Sequence, residues 1–161
     1  MGKLKYYPPR ILEDAFVLDE FSCAQPSLDD WLKKRARKNN KTGASRVYAV
    51  TCGPRNVVAY YSLSAGSVSH SISPGRIKRN MPEPIPIAVL GRLVVDSSHA
   101  GKGLGAGMLK DALLRSQRIA EQMGIRALLC HAIDNAAMEF YKYHGFIESP
   151  IEPRTMMMPL A

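Results

Sequence analysis

The chain has 161 residues, 46% of them hydrophobic, with a net charge of +8 and a pI of about 9.6. That length suits one domain (residues 1–161) with a substantial core, and no apolar run is long enough to span a membrane. Cys23, Cys52 and Cys130 are odd in number and far apart, which argues against a disulfide framework, and His70, His99, His131 and His144 share no ligand spacing, so no metal is expected. The first nine residues carry no apolar signal core, and a cytoplasmic protein is expected. The basic excess points to a polyanionic partner. Lys33, Lys34, Arg35, Arg37, Lys38, Lys41 and Arg46 fall in a stretch without an acid, and Arg76, Lys78 and Arg79 form a second cluster.

The first predicted element is a helix opened by Ser27-Leu28-Asp29-Asp30, a capping-box pattern, with Leu28, Trp31, Leu32 and Ala36 as its apolar stripe. Its basic residues take the outer face, and Asn39-Asn40 or Gly43 stops it. Residues 46–52 and 57–64 read as strands joined by a turn at 53–56. Residues 65–72 extend the second strand or form a short helix; periodicity does not decide. Residues 73–86, rich in Pro and Gly, read as a loop. Residues 87–96 form the central strand, 103–123 a helix with Gly124 as its C′ residue, 125–131 a buried strand, and 135–143 a short helix ended by Gly145. Phe146 and residues 154–160 supply two last strand pieces. The order describes an α/β (α+β) protein: a mixed central sheet with helices on both faces.

The chemistry concentrates after the central strand. Asp96 ends an apolar run, and Gly101-Lys102-Gly103-Leu104-Gly105-Ala106-Gly107 opens directly into a helical pattern. The first N–H groups of a helix lack intrahelical partners, and the dipole there favours negative charge. Glycine lets the backbone approach a ligand closely. Pyrophosphate binding is the implied chemistry, although a glycine-rich loop before a helix is also compatible with a plain flexible loop. A P-loop is excluded, because Gly105 is followed by Ala106-Gly107 rather than Lys-Ser or Lys-Thr. Gly101-x-Gly103-x-x-Ala106 fits a dinucleotide fingerprint, but four residues separate it from the strand, and the next strand ends in His131 rather than an acid.

The order of elements and two motifs resemble the GNAT family of acetyl-CoA-dependent N-acetyltransferases. Ala100-Gly101-Lys102-Gly103-Leu104-Gly105 is similar to the family's Gln/Arg-x-x-Gly-x-Gly/Ala pyrophosphate motif, with Ala100 departing at the first position. Asn135-Ala136-Ala137-Met138-Glu139-Phe140-Tyr141 through Gly145-Phe146 resembles its Asn-x-x-Ala-x-x-x-Tyr-x-x-x-Gly-Phe segment. The resemblance implies a GNAT fold and acetyl-CoA held by Ala100, Gly101, Lys102, Gly103, Leu104, Gly105 and Ala106. It further implies pantetheine against the backbone of Leu93, Val94 and Val95, and cofactor contacts from Asn135 and Tyr141. Tyr141 is the implied catalytic residue, a general acid for the departing thiolate; Tyr143 is its rival. Cys130 is given a packing role.

Several further segments are similar to the GNAT toxins of bacterial toxin–antitoxin pairs: Leu28-Asp29-Asp30-Trp31-Leu32, Gly43-Ala44-Ser45-Arg46, Tyr60-Tyr61-Ser62-Leu63, residues 79–86 and Leu90-Gly91-Arg92-Leu93. That likeness implies acetylation of the α-amine of aminoacyl-tRNA and inhibition of translation. It implies a homodimer, a ribbon-helix-helix antitoxin and operator DNA bound only through the antitoxin complex. Lys33, Lys34, Arg37, Lys38, Arg46, Arg79 and Arg92 are then the residues expected to contact tRNA. No acidic general base stands out near the central strand. An α-amine with a pKa of about 7.7–8.0 tolerates that better than a lysine amine at about 10.4. The competing readings are a GNAT enzyme acting on a protein N-terminus or small amine, and a catalytically weak relative that binds CoA or RNA.

Overall fold

The computed structural model describes residues 4–161; Met1, Gly2 and Lys3, part of the stretch read as lacking a signal core, lie outside the described residues. The strands are β1 (Arg10–Ile11), β2 (Arg46–Cys52), β3 (Asn56–Val68), β4 (Ile85–Val95), β5 (Ala127–His131), β6 (Ile147–Glu148) and β7 (Thr155–Pro159). The helices are α1 (Pro26–Lys34), α2 (Ala36–Thr42), α3 (Gly75–Lys78), α4 (Leu104–Ala120) and α5 (Asn135–Tyr143). The seven strands form one sheet of order β1-β2-β3-β4-β5-β7-β6. It is mixed, as the sequence predicts: β4 and β5 run parallel, whereas β1–β2, β2–β3, β5–β7 and β6–β7 are antiparallel. Among the described residues no helix is long and apolar enough to cross a membrane.

The chain divides into two compact units. The first comprises the residues up to Leu63 together with Arg92–Ala112. Its core gathers Phe16, Leu18, Phe21, Trp31, Leu32, Val47, Tyr60 and Val94. Alternation along β2 puts Val47 and Ala49 inside while Arg46 stays exposed, as the two-residue period of a strand requires. The second unit comprises Ser64–Gly91 and Leu113–Ala161. Val68, Ile77, Ile85, Ile87, Ala127, Leu129 and Met157 form its core. Here β4 and β5 pair from Ala88↔Leu128 to Leu90↔Cys130, and β5 also carries β7. Both flanks of β5 are thus occupied, and Ala127–Cys130 is buried without interruption. Gly66 marks a close approach in this unit: a Cβ there would lie 2.9 Å from Val89 Cγ2.

Three local expectations are corrected. The Ser27 capping box does not form. Helix α1 begins one residue earlier, at Pro26, whose missing N–H and fixed φ suit a first helical position. Asp29 instead turns its Oδ1 back to accept the Cys23 N–H at 3.0 Å. The single basic helix is two, broken at Arg35 (φ −125°, ψ −26°), with Gly43 at φ +82° closing α2. Gly124 is not a left-handed C′ residue: α4 stops at Ala120, where the N–H groups of Gln122 and Met123 both donate to Ile119 O at 2.9 and 3.0 Å. The ambiguity at residues 65–72 resolves both ways, since β3 continues to Val68 and a 3₁₀ turn covers His70–Ile72.

Candidate active site

In the first unit, β4 ends at Val95 and hands over to a loop anchored by Asp96. This carboxylate is buried and accepts two backbone N–H groups, Ser98 on Oδ1 at 2.8 Å and Ser22 on Oδ2 at 2.9 Å. Its own N–H donates to Val58 O at 2.8 Å. Each oxygen thus holds one backbone amide, and the side chain, 6% exposed, anchors the loop from inside the fold. A 3₁₀ turn at Ser97–His99 follows, then Ala100, exposed and without a polar side chain.

Gly101 and Gly103 adopt φ of +75° and +79°, values that side-chain-bearing residues seldom hold. Nothing lies within 4 Å of where a Cβ would stand on either one, so this face of the loop is open. Gly107 is the first residue to close a helical bond, to Gly103 O at 3.1 Å. The N–H groups of Leu104, Gly105 and Ala106 have no intrahelical acceptor. An open glycine cradle at the positive end of a 17-residue helix fits a pyrophosphate, with exposed Lys102 adding a cation. Beside it runs a cleft of about 340 Å³ lined by Tyr6, Tyr7, Pro8, Pro9, Val50, Gly103, Leu104, Gly107 and Met108. No sequence pattern assigns the N-terminal segment a part here. Two prolines and a two-residue strand carry no periodicity, and the Tyr6 hydroxyl bond to His99 Nδ1 at 2.8 Å spans 93 positions.

In the second unit, Tyr141 lies on α5, a helix started by Asp134, whose side chain accepts the Ala137 N–H at 2.8 Å. Tyr141 is buried, its ring 5.3 Å from both Phe140 and Phe146. Gly145 turns the chain at φ +95°, and the Phe146 N–H returns to Tyr141 O at 3.0 Å. The hydroxyl is hydrogen-bonded to the thiol of Cys130 on β5. Burial pushes the phenol well above its ordinary 10 and the Cys130 thiol up to about 12. At neutral pH Tyr141 holds its proton and Cys130 is not a thiolate. The tyrosine can serve as an acid, and the cysteine is no nucleophile. Tyr143 is 85% exposed and has no such setting. Asn135, also exposed, accepts Arg154 Nη2 on Oδ1 at 3.3 Å.

The basic residues differ in how free they are. Lys33, Lys34 and Lys38 are exposed, Lys34 standing 3.8 Å from Asp30. Arg37 is half-buried and donates through Nη2 to the carbonyls of Phe16 and Asp14, so it closes the chain around the first unit. Arg46 donates to Asn40 O at 2.6 Å. Arg79, in the second unit, is exposed. Arg92 lies with its Cζ 3.9 Å from the Trp31 ring centroid.

Residues 44–148 match the model of the acetyltransferase (GNAT) domain. The chain belongs to the GNAT family. It is 44% identical over 153 residues to the tRNA-acetylating toxin of Mycobacterium tuberculosis, covering 95% of this chain and 92% of that one. Among solved structures, AtaT complexed with acetyl-methionyl-tRNAfMet superposes with a TM-score of 0.88 at 26% identity, over 96% of this chain and 95% of that one. A point mutant of the AtaT toxin, bound to the C-terminus of the antitoxin AtaR and to acetyl-CoA, gives a TM-score of 0.82 at 25% identity, over 96% and 93%. The acetyl-CoA in that structure is the ligand expected from the two motifs of this GNAT acetyltransferase, and the tRNA and antitoxin partners of these relatives are those expected from its toxin-like segments.

Proposed function

We propose that this acetyltransferase moves an acetyl group from acetyl-CoA to the α-amine of aminoacyl-tRNA and so inhibits translation, as the toxin of a toxin–antitoxin pair. The observation that carries the reading is the 44% identity, over 95% of the chain, to a tRNA-acetylating toxin. The open glycine cradle supports the cofactor part. When bound, acetyl-CoA supplies the activated acetyl thioester.

Backbone amides of Gly101, Lys102, Gly103, Leu104, Gly105 and Ala106 hold the pyrophosphate, and Lys102 offsets the missing donor at Ala100. The strand backbone at Leu93, Val94 and Val95 pairs with the pantetheine amides, and Asn135 adds a polar contact. Tyr141 keeps its proton at neutral pH and delivers it from Oη to the leaving sulfur. Water accepts the proton of the attacking amine, since Asp96, the carboxylate at the end of β4, is buried and serves to hold the loop. An α-amine, partly neutral near pH 7.5, suits that arrangement.

Lys33, Lys34, Lys38 and Arg79 contact tRNA phosphates, with Arg46 and Arg37 contributing charge from anchored positions. Residues 1–161 act as one catalytic domain in the cytoplasm. The partners are a second copy of the chain and a ribbon-helix-helix antitoxin, through which alone operator DNA is bound. Labelled acetyl-CoA incubated with total charged tRNA, followed by sequencing of the labelled RNA, tests the reading. Label on aminoacyl-tRNA supports it; label confined to peptide N-termini or small amines overturns it.

A further inference from the structure

One side chain links the N-terminal segment to the glycine loop, and both lie in the first unit. Main-chain bonds flank Tyr6 on either side: the Tyr7 N–H donates to Thr51 O and the Gly53 N–H to Lys5 O, each at 2.9 Å. Tyr6 itself forms an antiparallel bridge with Cys52. The segment is thereby laid against the end of β2, which fixes the backbone that carries the Tyr6 ring. That ring meets His99 edge to face, with centroids 5.6 Å apart and planes at 83°. The Tyr6 hydroxyl is hydrogen-bonded to His99 Nδ1 at 2.8 Å, and both side chains are half-buried.

His99 closes the 3₁₀ turn after β4 and stands two positions before Gly101. The near end of that turn is fastened by Ser22, whose carbonyl accepts the Ser97 N–H at 2.8 Å and whose N–H donates to Asp96. The far end is where the chain enters the loop. Ala100 offers no polar side chain to hold it, and glycine tolerates many backbone conformations. At the other side of the loop the helix begins, with the Gly107 N–H on Gly103 O. Between His99 and Gly103 lie only Ala100, Gly101 and Lys102, so the placement of His99 decides how those amides are aimed.

We infer that Tyr6 is a positioning residue for acetyl-CoA: through His99 it sets the direction in which the chain enters the glycine loop. The inference rests on the pyrophosphate placement proposed above and adds what holds the loop to it. Ala100 stands where a side chain of the motif would serve the phosphates, and its neighbour His99 steadies the loop from outside the motif. The segment around Tyr6, which no motif marks, thus belongs to the cofactor site.

Tyr6→Phe keeps the ring against His99 and removes only the hydroxyl. In calorimetry its dissociation constant for CoA is expected to rise about three- to tenfold, the span of one ordinary hydrogen bond. In acetyl transfer to charged tRNA, KM for acetyl-CoA is expected to rise by a similar factor with kcat unchanged, because the reacting groups are untouched. His99→Leu is expected to match this loss. His99→Asn, whose amide puts a polar atom where Nδ1 stood, is expected to restore most of the affinity. The double variant Tyr6→Phe/His99→Leu should lose no more than either single one, since both remove the same bond.

Unchanged CoA affinity in Tyr6→Phe overturns the proposal. So does a fall in kcat with KM unmoved, and so do equal losses in His99→Asn and His99→Leu, which would make His99 a packing residue. Gly103→Asp is titrated with CoA alongside. Native affinity there removes the pyrophosphate placement and the positioning role together, whereas its loss there with native affinity in Tyr6→Phe removes only the positioning role.

Discussion

The hydroxyl of Tyr141 on α5 is hydrogen-bonded to the thiol of Cys130 on β5, both side chains buried within the second unit. Burial, the largest influence on each, leaves both groups protonated at neutral pH. Tyr141→Phe removes the proton and keeps the ring. The turnover rate is expected to fall ~10²–10⁴-fold, the usual range for a general acid, while CoA affinity measured by calorimetry changes little. Near-normal turnover would remove Tyr141 from the mechanism.

The same pair makes stability depend on alkaline pH. Cys130 titrates near 9 when unfolded and near 12 in the folded chain. Its folded value is the higher, so its contribution is complete below pH 9 and is lost as pH rises toward 12. Tyr141 is raised in the same sense. The unfolding midpoint of the native chain should therefore decline between pH 9 and 12. Cys130→Ala should flatten that decline; an identical slope in both proteins would contradict the assignment.

Loop chemistry can be separated from loop strain at Gly103. Its φ of +79° penalises most side chains, but asparagine tolerates that region better than others. Gly103→Asp and Gly103→Asn are nearly the same size. CoA binding by calorimetry should survive, weakened, in the asparagine variant and vanish in the aspartate variant, whose charge opposes a pyrophosphate. Equal loss in both would mean that geometry, not charge, governs the loop.

Among the basic residues, Lys33→Ala, Lys38→Ala and Arg79→Ala change exposed side chains. Combined, they should weaken charged tRNA binding and flatten the plot of log affinity against log salt by about one unit per lost phosphate contact. Arg37→Ala is expected to act differently. It frees the carbonyls of Phe16 and Asp14, and should lower the unfolding midpoint, a cost of about 1–3 kcal/mol. An Arg37→Ala protein as stable as the native one would show that these bonds contribute nothing to the fold.

Gly66→Ala places a methyl 2.9 Å from Val89 Cγ2. Valine is stiff about χ1 and cannot swing aside freely, so strain of about 1–3 kcal/mol is expected in denaturant titration. No loss would mean that β3 shifts to make room.

Much of this was legible in the chain because the signals are local. The strand at 46–52 and the helix at 135–143 appear with the predicted bounds: β-branched and aromatic residues before the turn at 53–56 mark the first, and Gly145 ends the second. Gly101 and Gly103 stand out from spacing alone. What stayed hidden depends on distant partners. The capping box at Ser27 yields to Pro26 because a fixed φ outweighs a side-chain cap, and Asp29 is claimed by the Cys23 amide. The Cys130–Tyr141 bond, the Tyr6–His99 bond and the Arg92–Trp31 contact each join residues with no common motif or period. Arg37 looked like one cation among several, and only its carbonyl partners set it apart.

Asp96 has a consequence for kinetics. Because its two oxygens tie Ser22 and Ser98 to the end of β4, the start of the glycine loop is set during folding and needs no ligand to shape it. A preorganised loop spends little binding free energy on ordering itself. CoA capture should then be a single-step process whose observed rate rises linearly with concentration, without the plateau that a slow loop rearrangement would impose.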